Sequence, residues 1–407
     1  CVTTGVVGCI LMVVVSVPAI CTAAEPVHCG IDVLQQNGFQ LLANQRIGLI
    51  TNHTGVNLDG ISTVTLLHEA SNVSLRALFS PEHGFEGRLD VSRIDDATDR
   101  STGLKIFSLY GSTRRPTKDM LETVDTLVFD IQDIGARFYT YISTMGEAMS
   151  AAAEHHKKFV VLDRPNPING IDIAGPMLDQ GTESFVGFHH LPVRHGMTIG
   201  ELALMMRKEL NLSLDLEVVK CTGWQRTMFW DQTGLTWINP SPNMRCLTQA
   251  LLYPGIGILE TTNLSVGRGT DTPFEVVGAP WIQPRSLAAA MNAHQLPGVT
   301  FIPVRFTPDS SKYANEECGG LNIVITCRND FEPMSVGFAL ASELHRLYPQ
   351  NWKGRDALRL LGSQQTLDVI LSGANPAAIQ QQADNGMDDF RRRRSEFLLY
   401  PETTAAQ

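Results

Sequence analysis

One pattern repeats through the first part of the chain: a short β-branched, apolar run, then a stretch with helical spacing. Runs of the first kind occupy 46–51, 75–80, 105–110, 126–131 and 159–163. Stretches of the second kind occupy 61–70, 117–123 and 141–155. Repeated strand–helix units predict a parallel sheet covered on both faces. Right-handed crossovers then bring the C-terminal ends of all the strands to one edge, where α/β sheets take their ligands.

The expected strand ends carry concentrated polar chemistry. Thr51-Asn52-His53-Thr54-Gly55 follows the first and Ser80-Pro81-Glu82-His83-Gly84-Phe85-Glu86-Gly87 the second. Asp130-Ile131-Gln132-Asp133-Ile134-Gly135-Ala136-Arg137 and Asp163-Arg164-Pro165-Asn166-Pro167 follow two others. Loops of this kind delivered to one edge predict a pocket rather than independent turns. A dinucleotide is not its expected occupant. No GxGxxG follows a strand, and Gly267-Arg268-Gly269-Thr270 is too short to serve. The expected fold is a Rossmann-like parallel sheet domain without a nucleotide cofactor.

Beyond Gly278 the pattern changes, with Pro280, Pro284 and Pro297-Gly298 as punctuation. Helices are expected near 285–294, 335–347 and 364–372, and strands over 300–306 and 321–327. The expected organisation is therefore a Rossmann-like domain over 25–278 and a smaller α/β auxiliary domain over 279–407. No repeat or low-complexity linker separates them.

Residues 1–24 read differently. No charge interrupts 2–24, the stretch 10–17 is almost wholly apolar, and Thr22-Ala23-Ala24 supplies small residues. This is the pattern of a signal peptide, so an exported protein, periplasmic or secreted, is expected. A membrane anchor is the rival reading, but the apolar stretch is short for a span. The formal charge of −10 leaves no basic surplus for nucleic-acid phosphates. The one basic run, Arg391 to Arg394, reads as a solvated helix end. No CxxC pair occurs among the cysteines, so a zinc cluster is not expected.

The strand-end motifs, with Arg194-His195-Gly196-Met197, Asn239-Pro240-Ser241-Pro242-Asn243-Met244 and the segment from Glu260 to Thr270, resemble the exo-β-N-acetylmuramidase family of glycoside hydrolases. The collinear motifs run from about residue 46 to Trp281. The resemblance implies a Rossmann-like catalytic domain, an auxiliary domain and a site in the cleft between them. It implies release of N-acetylmuramic acid from the non-reducing ends of peptidoglycan fragments. The expected partners are thus peptidoglycan-derived saccharides or muropeptides, with no cofactor and no metal.

Glycosidic cleavage requires a group that protonates the leaving oxygen and a second that attacks, activates water or stabilises the oxocarbenium-like transition state. Glu82, just past a strand end and next to the rigid Pro81, is the first candidate for the acid. Glu86, Asp130 and Glu260 compete for the second carboxylate. His53, His83 and His195 are candidates for sugar hydroxyls. Arg137, Arg194 and Arg268 are candidates for the lactyl carboxylate of the substrate, since a fixed guanidinium suits a carboxylate. Gln132, Tyr139, Asn243 and Asn263 complete the expected contacts, although each can instead hold loop backbone. A metal-dependent amidase and a non-catalytic muropeptide-binding protein are the alternative readings.

Overall fold

The computed structural model describes residues 26–91 and 93–402. The expected leader over 1–24 lies outside the described residues. Among the described residues nine strands precede residue 220: β1 (Arg46–Thr51), β2 (Ser74–Ser80), β3 (Ala97–Thr98), β4 (Lys105–Ser108), β5 (Thr126–Asp130), β6 (Lys158–Leu162), β7 (Ala174–Met177), β8 (Pro192–Arg194) and β9 (Leu216–Val219). Seven of them form one sheet in the order β3-β4-β2-β1-β5-β6-β9. Every neighbouring pair is parallel except β3 with β4 at the edge.

The central strands are apolar on both sides because both sides are covered. Ile47 and Leu49 of β1 face one core with Val128 and Val160. Ile50 faces the other with Leu127 and Phe129. Strands buried on two faces have no polar alternation, which is why these runs read as continuous hydrophobic segments. The helix Tyr141–Glu154 covers the second face and returns the chain from β5 to β6. Its start, Thr140 and Tyr141, lies at the edge where β2 and β5 end.

The last three strands, β10 (Val276–Ala279), β11 (Val299–Phe306) and β12 (Cys318–Ile325), make a separate antiparallel sheet in the order β10-β12-β11. The sequence boundary expected at 278/279 falls inside β10. One contiguous apolar core joins the two sheets, running from Phe79 and Phe129 through Ile256 and Leu264 to Phe338 and Leu344. Such a core fixes the second sheet against the strand ends of the first.

The basic run departs from its reading as a solvated end. Arg391 and Arg392 are exposed on the helix Met387–Ser395, as expected. Arg393 instead binds Glu209, and the buried Arg394 donates to the carbonyls of Gly170 and Gly196. Among the described residues Cys318 and Cys327 are free thiols.

Candidate active site

A cavity of about 650 Å³ opens at the C-terminal edge of β2 and β5, between that edge and the second sheet. That volume suits a small ligand of one or two sugar rings. Phe138, Tyr139, Tyr141, Tyr253 and Phe274 line it. Their rings meet edge to face, Tyr139 and Tyr141 at 5.0 Å, Phe138 and Tyr253 at 5.1 Å, Tyr253 and Phe274 at 4.7 Å. Interlocked rings make a rigid apolar wall.

Glu82 projects into this cavity. Strand β2 ends at Ser80, the buried Pro81 turns the chain, and the glutamate follows half-buried. Its carboxylate accepts a hydrogen bond from the Thr140 hydroxyl at the start of the long helix. Tyr110 lies on its other side. Burial, then a hydrogen bond to Glu82 and the charge of that group, push the Tyr110 hydroxyl up to about 12. A phenol held protonated in this way is a donor throughout the neutral range. Burial similarly raises Tyr139, Tyr141 and Tyr253. The Tyr141 hydroxyl is fully engaged, accepting from Asn52 at 3.0 Å and donating to the Pro240 carbonyl at 2.6 Å. The buried Tyr139 hydroxyl has no partner of good hydrogen-bond geometry.

The remaining cavity carboxylates, Asp90 and Glu260, are both bound to Arg268. One guanidinium nitrogen donates to Glu260 and the other reaches both oxygens of Asp90, at 2.7 and 2.6 Å. Burial opposes the Asp90 charge, yet Arg268, with help from Asn243 and His83, holds its carboxyl below the ordinary range. Asn243 donates to Asp90 at 3.2 Å. The turn bearing Arg268 requires glycine on one side: Gly269 has φ +80°, and a Cβ there would lie 2.3 Å from the Ser310 carbonyl oxygen. Lys312 comes from the second sheet's connection and donates to the main-chain carbonyl of Glu260. His83, which also lines the cavity, points Nδ1 at the Leu89 carbonyl, 2.7 Å away.

The structure therefore brings Glu82, His83, Tyr139, Asn243, Glu260 and Arg268 together around one cavity. It places the other sequence candidates elsewhere. His53 and Glu86 line an adjoining groove with Arg88 and Asn239. His53 directs Nε2 to the Asn239 carbonyl at 2.7 Å, and burial lowers its pKa. Asp130 is fully buried and held by Arg164 and by Thr63 at 2.5 Å. Gln132 donates to the carbonyls of Asp133 and Pro165. Arg137 donates to four main-chain carbonyls, and Arg194 is taken by Ile168 and Asp172. His195 is fully buried, accepting from the Met197 amide. Asn263 binds the backbone of Asn351 and Lys353. Apart from the exposed Glu86, these side chains hold loops, and none of them lines the cavity.

Sequence reasoning passed over Asp90, Tyr110, Thr140, Lys312 and Arg359. Asp90 sits only three residues past the motif that ends at Gly87, and its acidity was a usable signal. Lys312 and Arg359 come from segments without motif character, and only the three-dimensional packing brings them to the site.

Comparison with known proteins finds similarity over nearly the whole chain. Residues 47–248 match the family described as Exo-beta-N-acetylmuramidase NamZ, N-terminal, and residues 251–400 match its C-terminal counterpart. The chain is 42% identical over 384 residues to the peptidoglycan beta-N-acetylmuramidase NamZ of Bacillus subtilis (strain 168), covering 93% of each protein. Two solved DUF1343-family proteins from Bacteroides fragilis NCTC 9343 share the fold. One superposes with a TM-score of 0.86 at 42% identity, covering 92% of this chain and 99% of its own. The other gives 0.75 at 31% identity, covering 93% and 100%.

Proposed function

The chain belongs to the exo-β-N-acetylmuramidase family, and we propose that it carries out that activity with Glu82 as the proton donor. It is a glycoside hydrolase of peptidoglycan, releasing N-acetylmuramic acid from the non-reducing ends of glycan fragments. One observation carries the assignment of the acid. Of the three carboxylates lining the cavity, Asp90 and Glu260 are tied to a guanidinium, and Glu82 alone faces hydroxyl groups. Arg268 holds the Asp90 carboxyl below the ordinary range, and the guanidinium occupies both oxygens of Asp90 and one of Glu260, so neither is free to meet a leaving oxygen. Among the described residues Glu82 has no ion-pair partner, and it lines the cavity, so it can protonate a leaving glycosidic oxygen.

Hydrolysis of a chromogenic β-N-acetylmuramide by the mature protein tests the reading. Release of the chromophore that survives chelators separates it from a metal-dependent amidase. Binding of glycan fragments without any release across several pH values would favour the non-catalytic alternative. Export completes the proposal: the uncharged, apolar leader over 2–24 would carry the enzyme to where peptidoglycan lies. N-terminal sequencing of the protein recovered outside the cytoplasm checks that step.

A further inference from the structure

We infer that Arg359 is the residue that selects the lactyl carboxylate of the substrate. The inference rests on the muramidase reading above and concerns a group that distinguishes N-acetylmuramic acid from N-acetylglucosamine. That carboxylate needs a cation at the cavity, and the arginines singled out from the sequence are not free to supply it. Arg137 and Arg194 are buried on main-chain carbonyls, and Arg268 already closes on Asp90 and Glu260. A further carboxylate approaching Arg268 would meet two negative charges first. Lys312 lies in the field of Glu260, donates a hydrogen bond to its main-chain carbonyl, and burial disfavours its charge.

Arg359 differs on each count. It lines the cavity, is solvent-accessible, and has no hydrogen-bond or ion-pair partner among the described residues. Its charge reaches Tyr110, the phenol that binds Glu82. It therefore stands on the acid's side of the cavity. In a muramide the lactyl ether is carried on C3, two ring carbons from the anomeric centre that the acid serves. With the glycosidic oxygen at Glu82, the proposed seat of the lactyl anion is the Arg359 guanidinium across the same cavity. The support beneath Arg359 is also fixed. Arg137 donates to the carbonyls of Leu360 and Leu361, at 2.9 and 2.8 Å, and so ties the short helix Leu358–Leu361 to the strand-end loop after β5. A guanidinium on a pinned turn can offer a carboxylate two parallel N–H donors, which gives its recognition both charge and geometry.

The test compares a chromogenic β-N-acetylmuramide with the same compound bearing a lactyl carboxamide. The wild-type enzyme should prefer the acid, and Arg359→Ala should lower kcat/KM for the acid by about 10- to 100-fold, chiefly through KM. The acid-over-amide preference should collapse toward parity, and Arg359→Lys should restore part of it. Equal losses on both compounds, or an unchanged preference, would overturn the inference. So would a preference that disappears in Lys312→Ala instead. Product binding keeps the two readings apart. Calorimetry should show N-acetylmuramic acid binding more tightly than its carboxamide, with the difference lost in Arg359→Ala. That result with no turnover of either compound would sink the muramidase reading and leave the carboxylate site standing.

Discussion

Arg164 closes on the carboxylate of Asp130 through two hydrogen bonds, Nε to one oxygen at 2.6 Å and Nη2 to the other at 2.9 Å. Both side chains are buried, and Thr63 adds a third donor to the same carboxylate. Asp130 ends β5 and Arg164 follows β6, so the pair clamps two adjacent strand ends behind the cavity.

Removing one partner leaves the other as an uncompensated buried charge. Asp130→Ala is expected to cost about 3–5 kcal/mol of stability. Its activity, corrected for the folded fraction, should stay measurable, because Asp130 does not line the cavity. Thermal unfolding and single-substrate kinetics on the same preparation check this. A stable but inactive variant would return Asp130 to the list of reacting groups.

The two glutamates of the central motif should separate cleanly. Glu82→Gln keeps the shape and the contact with Thr140 but cannot give a proton, so kcat should fall by about 10²- to 10⁴-fold with little change in melting temperature. Glu86 is exposed in the adjoining groove, where its charge acts on His53. Glu86→Gln should keep turnover close to wild type. Comparable losses in the two variants would show that the groove and the cavity work as one site.

These residues also show how far sequence pattern reaches. The strands at 46–51, 75–80 and 126–131 were legible to within a residue or so, because two-sided burial writes itself as an apolar run. The edge pair β3 with β4 was only half legible, since Ala97–Thr98 is two exposed residues held by pairing alone. At the site, Glu82 and Arg268 were legible from their loops. Asp130, Arg137 and Arg194 carry equally reactive groups, yet the fold turns each inward onto a partner from a distant segment. The residue type announces what a side chain can bind. Which carbonyl or carboxylate folds back to meet it depends on packing that no local pattern records.

Acid should loosen the contact between two helices. Glu209, at the end of the helix Ile199–Glu209, bonds His189 at 2.6 Å and Arg393 of the helix Met387–Ser395 at 2.6 and 2.9 Å. Burial works against its charge, but those bonds win and bring its carboxyl down to about 2. The folded value thus lies below the ordinary 4.5. Its stabilisation is full above that ordinary value and is lost as pH falls toward about 2. Arg393→Ala should cost about 1 kcal/mol at neutral pH, discounted for partial exposure. The gap between variant and wild type should narrow in melts taken at progressively lower pH. A gap that widens with acid would reverse the sign and remove Glu209 as its cause.

Gly362 offers a way to disturb the Arg359 turn without touching Arg359. It ends the short helix Leu358–Leu361 at φ +69°, and a Cβ placed there would lie 2.5 Å from Nη2 of Arg137. That guanidinium cannot step aside, because its four bonds to main-chain carbonyls hold it in place. Gly362→Ala therefore carries two costs. One is the left-handed backbone, about 1 kcal/mol. The other is displacement of Arg137 from Leu360 and Leu361, with loss of buried charge-assisted bonds. Gly373→Ala isolates the first cost, since Gly373 has φ +78° and open space around its Cβ position. Gly362→Ala should lower the melting temperature clearly more than Gly373→Ala does. It should also raise KM for a muramide, while Gly373→Ala leaves KM near the wild-type value. Equal effects of the two substitutions would mean that the Arg137 contact neither bears on stability nor positions the turn beside the cavity.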